Sequence, residues 1–171
     1  MATAAGNPCT VVGTARGALA AVVDGLGRDE ASQEALRRIA AHAEEPLGEI
    51  VRRCHQALQG TGGVALSLAA FDAERGTLGW IGVGDLEAAI CRPDGRREWV
   101  APRGGVVGWQ LPAIEEARFA LAAGDTLILG SGIRLGLQGP PPGEPQTAAD
   151  TILARHARGV GDACVLAIRW R

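Results

Sequence analysis

The chain has 171 residues, of which 47% are hydrophobic, 21% charged and 4% aromatic, a length that suits a single domain, residues 1–171, with a core needing no staples. Its 17 basic and 19 acidic residues leave a net charge of −2, which excludes a nucleic-acid binder that draws its affinity from bulk charge. All 17 basic residues are Arg, and Lys and Tyr are absent, so a Schiff-base lysine, a P-loop lysine and a catalytic tyrosine are excluded.

Residues 18–23, Ala-Leu-Ala-Ala-Val-Val, form a continuous apolar run closed by Asp24-Gly25-Leu26-Gly27. Such a run, ended by glycines, predicts a strand buried on both faces. Residues 9–13 are its expected hairpin partner, across a turn at 15–17. Asp29 is placed to cap a following helix. Ala31, Ala35, Leu36, Ile39, Ala40 and Ala43 recur at helical spacing, with Glu34 and Arg38 set for an i,i+4 pair. Pro46 sits where helices begin. Leu47, Ile50, Val51, Cys54 and Leu58 then mark a second helix, stopped by Gly60-Thr-Gly-Gly63.

From Gly63 the rhythm changes. Residues 64–71, 77–83, 86–92 and 97–101 read as strands separated by turn signals, a continuous β-meander. Residues 117–121 and 126–130 read as a further hairpin across Ala122-Ala-Gly-Asp125. Gly139-Pro-Pro-Pro-Gly-Glu-Pro145 reads as a surface loop. Residues 147–157 read as a short helix capped by Thr147, and 164–170 as a closing strand. Runs of strands beside runs of helices imply an α+β layered fold.

Cys9, Cys54, Cys91 and Cys164 form no CxxC pair, and each sits in an apolar run, so each reads as a small buried hydrophobe. No basic-then-apolar leader is visible, and no apolar run approaches the ~18 residues of a membrane helix, which together predict a cytoplasmic setting without membrane contact. His42, His55 and His156 have no Ser or Asp context of a hydrolytic triad. Trp80, Trp99, Trp109 and Trp170 read as core and rim packing.

Four stretches then line up with one family. Val22-Val-Asp-Gly-Leu-Gly27 resembles the Asp-Gly-Leu-Gly-His-Gly signature of SpoIIE-type bacterial phosphatases. Gly76-Thr-Leu-Gly-Trp-Ile-Gly-Val-Gly-Asp-Leu-Glu87 resembles that family's central hairpin, which usually ends Gly-Val-Gly-Asn. Gly105-Val-Val-Gly108, Leu111-Pro112 and 122–129 resemble the approach to its Ser/Thr-Asp-Gly motif. Arg158-Gly-Val-Gly-Asp-Ala-Cys-Val-Leu166 resembles its closing Asp-Asp-Ala-x-Val-Leu strand. The matches keep the family's order, and the small RsbX type is the nearest likeness.

The resemblance implies the fold of metal-dependent (PPM, type 2C) serine/threonine phosphatases: an α/β sandwich of two mostly antiparallel sheets flanked by helices. It implies hydrolysis of phosphoserine or phosphothreonine by a water activated between two Mn²⁺ or Mg²⁺ ions, which demand oxygen ligands. It makes Asp24 the bridging ligand, with the Gly25 carbonyl beside it. At the other ligand positions the chain departs from the family. Asn7, Ser131 and Gly161 stand where carboxylates are expected, leaving Asp24 and, if it turns inward rather than outward, Asp162.

Arg28-Asp29 replaces His-Gly after the first signature. Arg28 is placed either to hold phosphate or to start the helix, and Asp29 is a further carboxylate that could reach the site. Asp85 stands near the third-metal position of larger type 2C enzymes, or in an ordinary Gly-Asp turn. Three neutral substitutions imply a catalytically impaired or pseudophosphatase binding module with no ion or one weakly bound. The alternative is an active enzyme. The implied partner is a phosphorylated or unmodified signalling protein, of STAS-domain or stressosome type, or its kinase.

Overall fold

The computed structural model describes residues 2–3, 9–25, 29–136, 143–157 and 163–171. Among these residues two five-stranded antiparallel sheets stack face to face, with two helices over one and a third over the other. The first sheet has the order β2(Cys9–Thr14), β3(Gly17–Gly25), β4(Val64–Asp72), β5(Thr77–Val83), β8(Ala117–Ala120). The second has the order β1(Ala2–Thr3), β10(Cys164–Arg169), β9(Thr126–Ser131), β6(Glu87–Cys91), β7(Arg97–Trp99). This is the expected α+β sandwich.

The period of two in the strands divides the core into three layers. In β3, Leu19, Ala21 and Val23 face outward and pack under α1(Asp29–Ala41) and α2(Leu47–Ala57), against Ala35, Ile39, Ile50, Val51 and Cys54. Ala20 and Val22 face inward, against Leu129 and Leu166 of the second sheet. The outer face of the second sheet, Ala89, Ile128, Val165 and Ala167, lies under Ala149 and Ile152 of α3(Pro145–His156). A strand with helices on one face and a sheet on the other has no solvent side. The run 18–23 therefore reads as continuously apolar rather than alternating.

The helices follow their sequence signals. Pro46 precedes α2, and Arg38 Nε donates to Glu34 Oε1 at 2.7 Å on α1. Asp29 is the first residue of α1. His42 falls just beyond α1, where its Nδ1 lies 3.0 Å from Glu45 Oε1. The third helix begins two residues before the expected Thr147: Pro145 occupies its first turn and Glu144 stands at the cap position with no side-chain cap bond. Pro145 thus opens a helix instead of ending a loop, since its missing N–H costs nothing there. The rest of that loop, 139–142, lies outside the described residues.

Two pairings differ from expectation. The meander is not continuous: β4 and β5 pair in the first sheet, β6 and β7 in the second. The chain changes sheet at Gly84, whose φ of +96° and whose Cβ position, 2.5 Å from the Ala65 Cβ, admit only glycine. Likewise β8 and β9 are not a hairpin. β8 pairs with β5, whereas β9 lies between β6 and β10. The turn between them is held to the second sheet by Asp125, which is 1% exposed, accepts from the Ala122 N–H at 2.7 Å and pairs with Arg92 just after β6.

Candidate functional site

Strand parity carries the inward rows to one end of the sandwich. Along β3 the row Ala20, Val22 continues to Asp24. Along β9 the row Leu127, Leu129 continues to Ser131. Along β10 the row Ile168, Leu166 continues back to Cys164, and on β2 Cys9 shares the inward face with Val11. Ser131 and Cys164 are Cα partners, as are Cys9 and Val22, and Asp24 pairs with Ala65. The interlayer core, apolar along its length, thus ends in a carboxylate, a hydroxyl and two thiols. Ser131 and Cys164 are buried, while Asp24 and Cys9 are half-buried.

Three of the four side chains sense one another. The Cys9 and Cys164 thiols hydrogen-bond, which lowers the Cys9 thiol to about 7. The same contact, then burial, then the charges of Cys9 and Asp24, push the Cys164 thiol up. Asp24 therefore lies within electrostatic reach of Cys164. Sequence reasoning took both cysteines for inert core. Their spacing was the available signal, each standing two residues from an expected ligand position, Asn7 or Asp162. That inert reading holds for Cys54 and Cys91, whose thiols burial pushes up, Cys54 to about 12.

Of the expected site residues, the structure brings Asp24 and Ser131 to this end and places Gly25 beside them as the last residue of β3. Asp85 is exposed on the turn after β5. Asn7, Arg28, Gly161 and Asp162 lie outside the described residues. Trp109, expected as core or rim packing, is 77% exposed. Its loop is anchored where Val107 bridges Val64, the Cα partner of Gly25, and where the Gly108 N–H donates to His55 Nδ1 at 3.0 Å. Trp80 and Trp170 are packing residues as expected: Trp80 is buried and Trp170 stacks on Phe71 at 6.1 Å.

A cavity of roughly 600 Å³ opens at the opposite end of the first sheet, beside the β2–β3 turn. Most of its charges are already engaged: Arg75 with Asp72, Arg118 with Glu116, and Glu44 with the Ala15 N–H. It contains none of the family positions.

Hard divalent ions take six or more oxygens and favour carboxylates. Among the described residues no three His, Cys, Asp or Glu are grouped to hold a metal. The described donors at the cleft are one carboxylate, one hydroxyl, one backbone carbonyl and two soft thiols. They do not fit a pair of divalent cations.

The architecture, two antiparallel sheets between helices, is that of the PPM-type phosphatases. The family model described as Stage II sporulation protein E (SpoIIE) matches residues 19–132, two thirds of the chain, from β3 through Asp24 to the turn after Ser131. The chain belongs to the SpoIIE family of PPM-type phosphatases.

Among solved structures it is similar to a protein from work on the bacterial stressosome as a modular system adapted to control secondary messenger signalling. The two are 23% identical with a TM-score of 0.86, over 97% of this chain and 92% of that one. It is similar to RsbX in complex with magnesium, at 17% identity and a TM-score of 0.82 over 94% and 85%. It is also similar to the serine/threonine phosphatase PstP/Ppp of Mycobacterium tuberculosis, at 18% and 0.68 over 96% and 92%. No curated protein is significantly similar to it in sequence.

Proposed function

We propose that this chain is a binding module of bacterial partner-switching or stress signalling, a PPM-fold protein whose phosphatase chemistry is impaired or lost. The observation that carries this reading is the donor set of the cleft. Asp24 is a carboxylate, but the motif correspondence puts Ser131, whose hydroxyl is buried, at a family ligand position. The motif correspondence puts Asn7 and Gly161 at two more. Two cations about 4 Å apart repel strongly, and carboxylates normally offset that repulsion. With one carboxylate from Asp24, and Asp162 as the only other candidate at a ligand position, Asp24, Gly25 and Asp162 would hold at most one Mn²⁺ or Mg²⁺ weakly. Asp85 belongs to the turn rather than to a metal.

The partner under this reading is a phosphorylated or unmodified signalling protein of STAS-domain or stressosome type, or its kinase. Fold likeness to a stressosome-system protein and to the RsbU and RsbW domains of Rv1364c from Mycobacterium tuberculosis supports that class. The exposed Trp109 suits docking, because Trp is enriched among the residues that dominate binding energy. The chain would work as one domain over residues 1–171, in the cytoplasm.

Calorimetry with Mn²⁺, run beside phosphate release from a phosphoserine regulator, tests this. We expect no two-site isotherm and no metal-dependent release. A two-site isotherm at micromolar affinity with turnover would establish the active-enzyme reading instead. Asn7→Asp, Ser131→Asp and Gly161→Asp together should raise Mn²⁺ affinity about tenfold or more, ~1.4 kcal/mol. No change would mean that the motif correspondence is misplaced.

A further inference from the structure

Each five-stranded sheet ends in two edge strands, and a bare strand edge is a template for pairing with another chain. Among the described residues, three of these edges are blunted. β1 has two residues. β7 has three, with Arg97 and Glu98 among them. β8 has four, carries Arg118, and gives its Ala120 carbonyl to the Arg92 guanidinium. The remaining edge, β2, has six residues, Cys-Thr-Val-Val-Gly-Thr, with no charge and no proline. Its register against β3 runs unbroken from Cys9 to Thr14, so no bulge turns it aside.

Parity sets which backbone groups lie on the open side. The Ala73 N–H donates to the Arg16 carbonyl at 2.7 Å. Gly17 faces Asp72 in the register, so Arg16 continues it opposite Ala73. Even-numbered residues of β3 therefore bond to β4, and odd-numbered ones bond to β2. On β2 the partners of Gly17, Leu19 and Ala21 are Thr14, Val12 and Thr10. Cys9, Val11 and Gly13 thus point their N–H and C=O groups away from the sheet, where no described strand lies.

These three residues are self-complementary. In an antiparallel pair centred on Val11, Val11 faces Val11 of a second copy and Cys9 faces Gly13, so every outward residue meets an outward residue. Such pairs exchange about six hydrogen bonds. On the opposite face Thr10 meets Val12, two β-branched side chains that suit a pleated surface. Gly13 is exposed, with open space at its Cβ position, which lets a second backbone approach. We infer that β2 is a homodimer interface: two copies pair β2 to β2, antiparallel about Val11, and fuse their first sheets into one. The match of an uncharged strand to itself, with no like-charge repulsion across the two-fold, favours a second copy over a foreign strand. The inference rests on strand geometry and not on whether the cleft binds metal.

Sedimentation of the full chain from ~1 μM to ~1 mM tests this. The mass should rise with concentration toward twice 17.6 kDa. Hydrogen exchange should slow over residues 9–14 across the same range, a measurement that needs no variant. Gly13→Pro removes an outward N–H and no bond to β3. It should stay monomeric with the circular-dichroism spectrum of the unaltered chain, whereas Gly13→Ala, which keeps the N–H, should still dimerise. A monomer at every concentration would overturn the proposal and leave the edge to a strand of another protein. A dimer that Gly13→Pro leaves intact, or exchange over 9–14 that ignores concentration, would overturn it as well.

Discussion

The tryptophan at the heart of the interlayer core offers a test of how the two central strands of the first sheet are locked. Trp80, 3% exposed, donates from its indole Nε1 to Ser67 Oγ at 2.9 Å, and Ser67 is fully buried. In the β4–β5 register Ser67 faces Gly82 and Ala69 faces Trp80, so the indole reaches diagonally across the missing side chain of Gly82. A Cβ at Gly82 would lie 2.4 Å from indole Cζ2 and Cη2 and 3.0 Å from Pro102 Cβ.

Gly82→Ala must therefore push the ring aside. Overpacking costs about 1–3 kcal/mol, and losing the hydrogen bond adds about 0.5–1.5 kcal/mol, so the loss should be about 2–4 kcal/mol. Ser67→Ala strands the indole N–H, and Trp80→Phe strands the Ser67 hydroxyl, at about 1–3 kcal/mol each for the buried unpaired group. The double variant strands neither. The pair should therefore fall short of additivity by about 1 kcal/mol or more. Urea unfolding with an unchanged m-value reads these quantities. Additivity within about 0.3 kcal/mol, or a neutral Gly82→Ala, would refute the reasoning.

Two further outcomes are expected. Arg92→Ala leaves the buried Asp125 carboxylate without its cation and the turn before β9 without its anchor. The cost should be about 2–4 kcal/mol by thermal unfolding, the low side of a broken buried pair because Arg92 keeps some water contact, and a loss below about 1 kcal/mol would contradict it. Asp72 accepts the Arg75 backbone N–H at 3.0 Å and its guanidinium at 3.1 Å, which hold its carboxyl below the ordinary value. A lowered folded value gives stability that is present above the unfolded pKa of about 3.9 and lost as pH falls through the folded one. The urea-midpoint gap between the unaltered chain and Asp72→Asn should accordingly narrow between neutral pH and pH 2, and a constant gap would contradict the assignment.

Much of the local structure was legible because its causes are local. The apolar run at 18–23 could only be a strand with no solvent face. The spacing of Ala35, Ile39, Ile50, Val51 and Cys54 could only serve helices lying on one layer. The Asp-Gly step after that strand put Asp24 at a strand end before any contact was known. What failed were the partners of strands. Gly84-Asp85 and Ala122–Asp125 announce that the chain turns, and a turn signal carries no information about the plane of the turn. In both places the chain steps to the other sheet, because Gly84 packs against Ala65 in one case and Asp125 binds Arg92 in the other.

The same division holds at the site. Sequence alone determined what chemistry the positions named by the motif correspondence can offer, since Asn7, Ser131 and Gly161 lack carboxylates wherever the chain places them. Only tertiary structure decided what stands together. Asp24, Ser131, Cys9 and Cys164 come from four strands of two sheets, and they converge because pleat parity carries four inward rows to one end of the same layer. Parity along each strand is written in its sequence. Which rows share an end is set by the long-range pairing of sheets, and that is paid for by burial across the whole core.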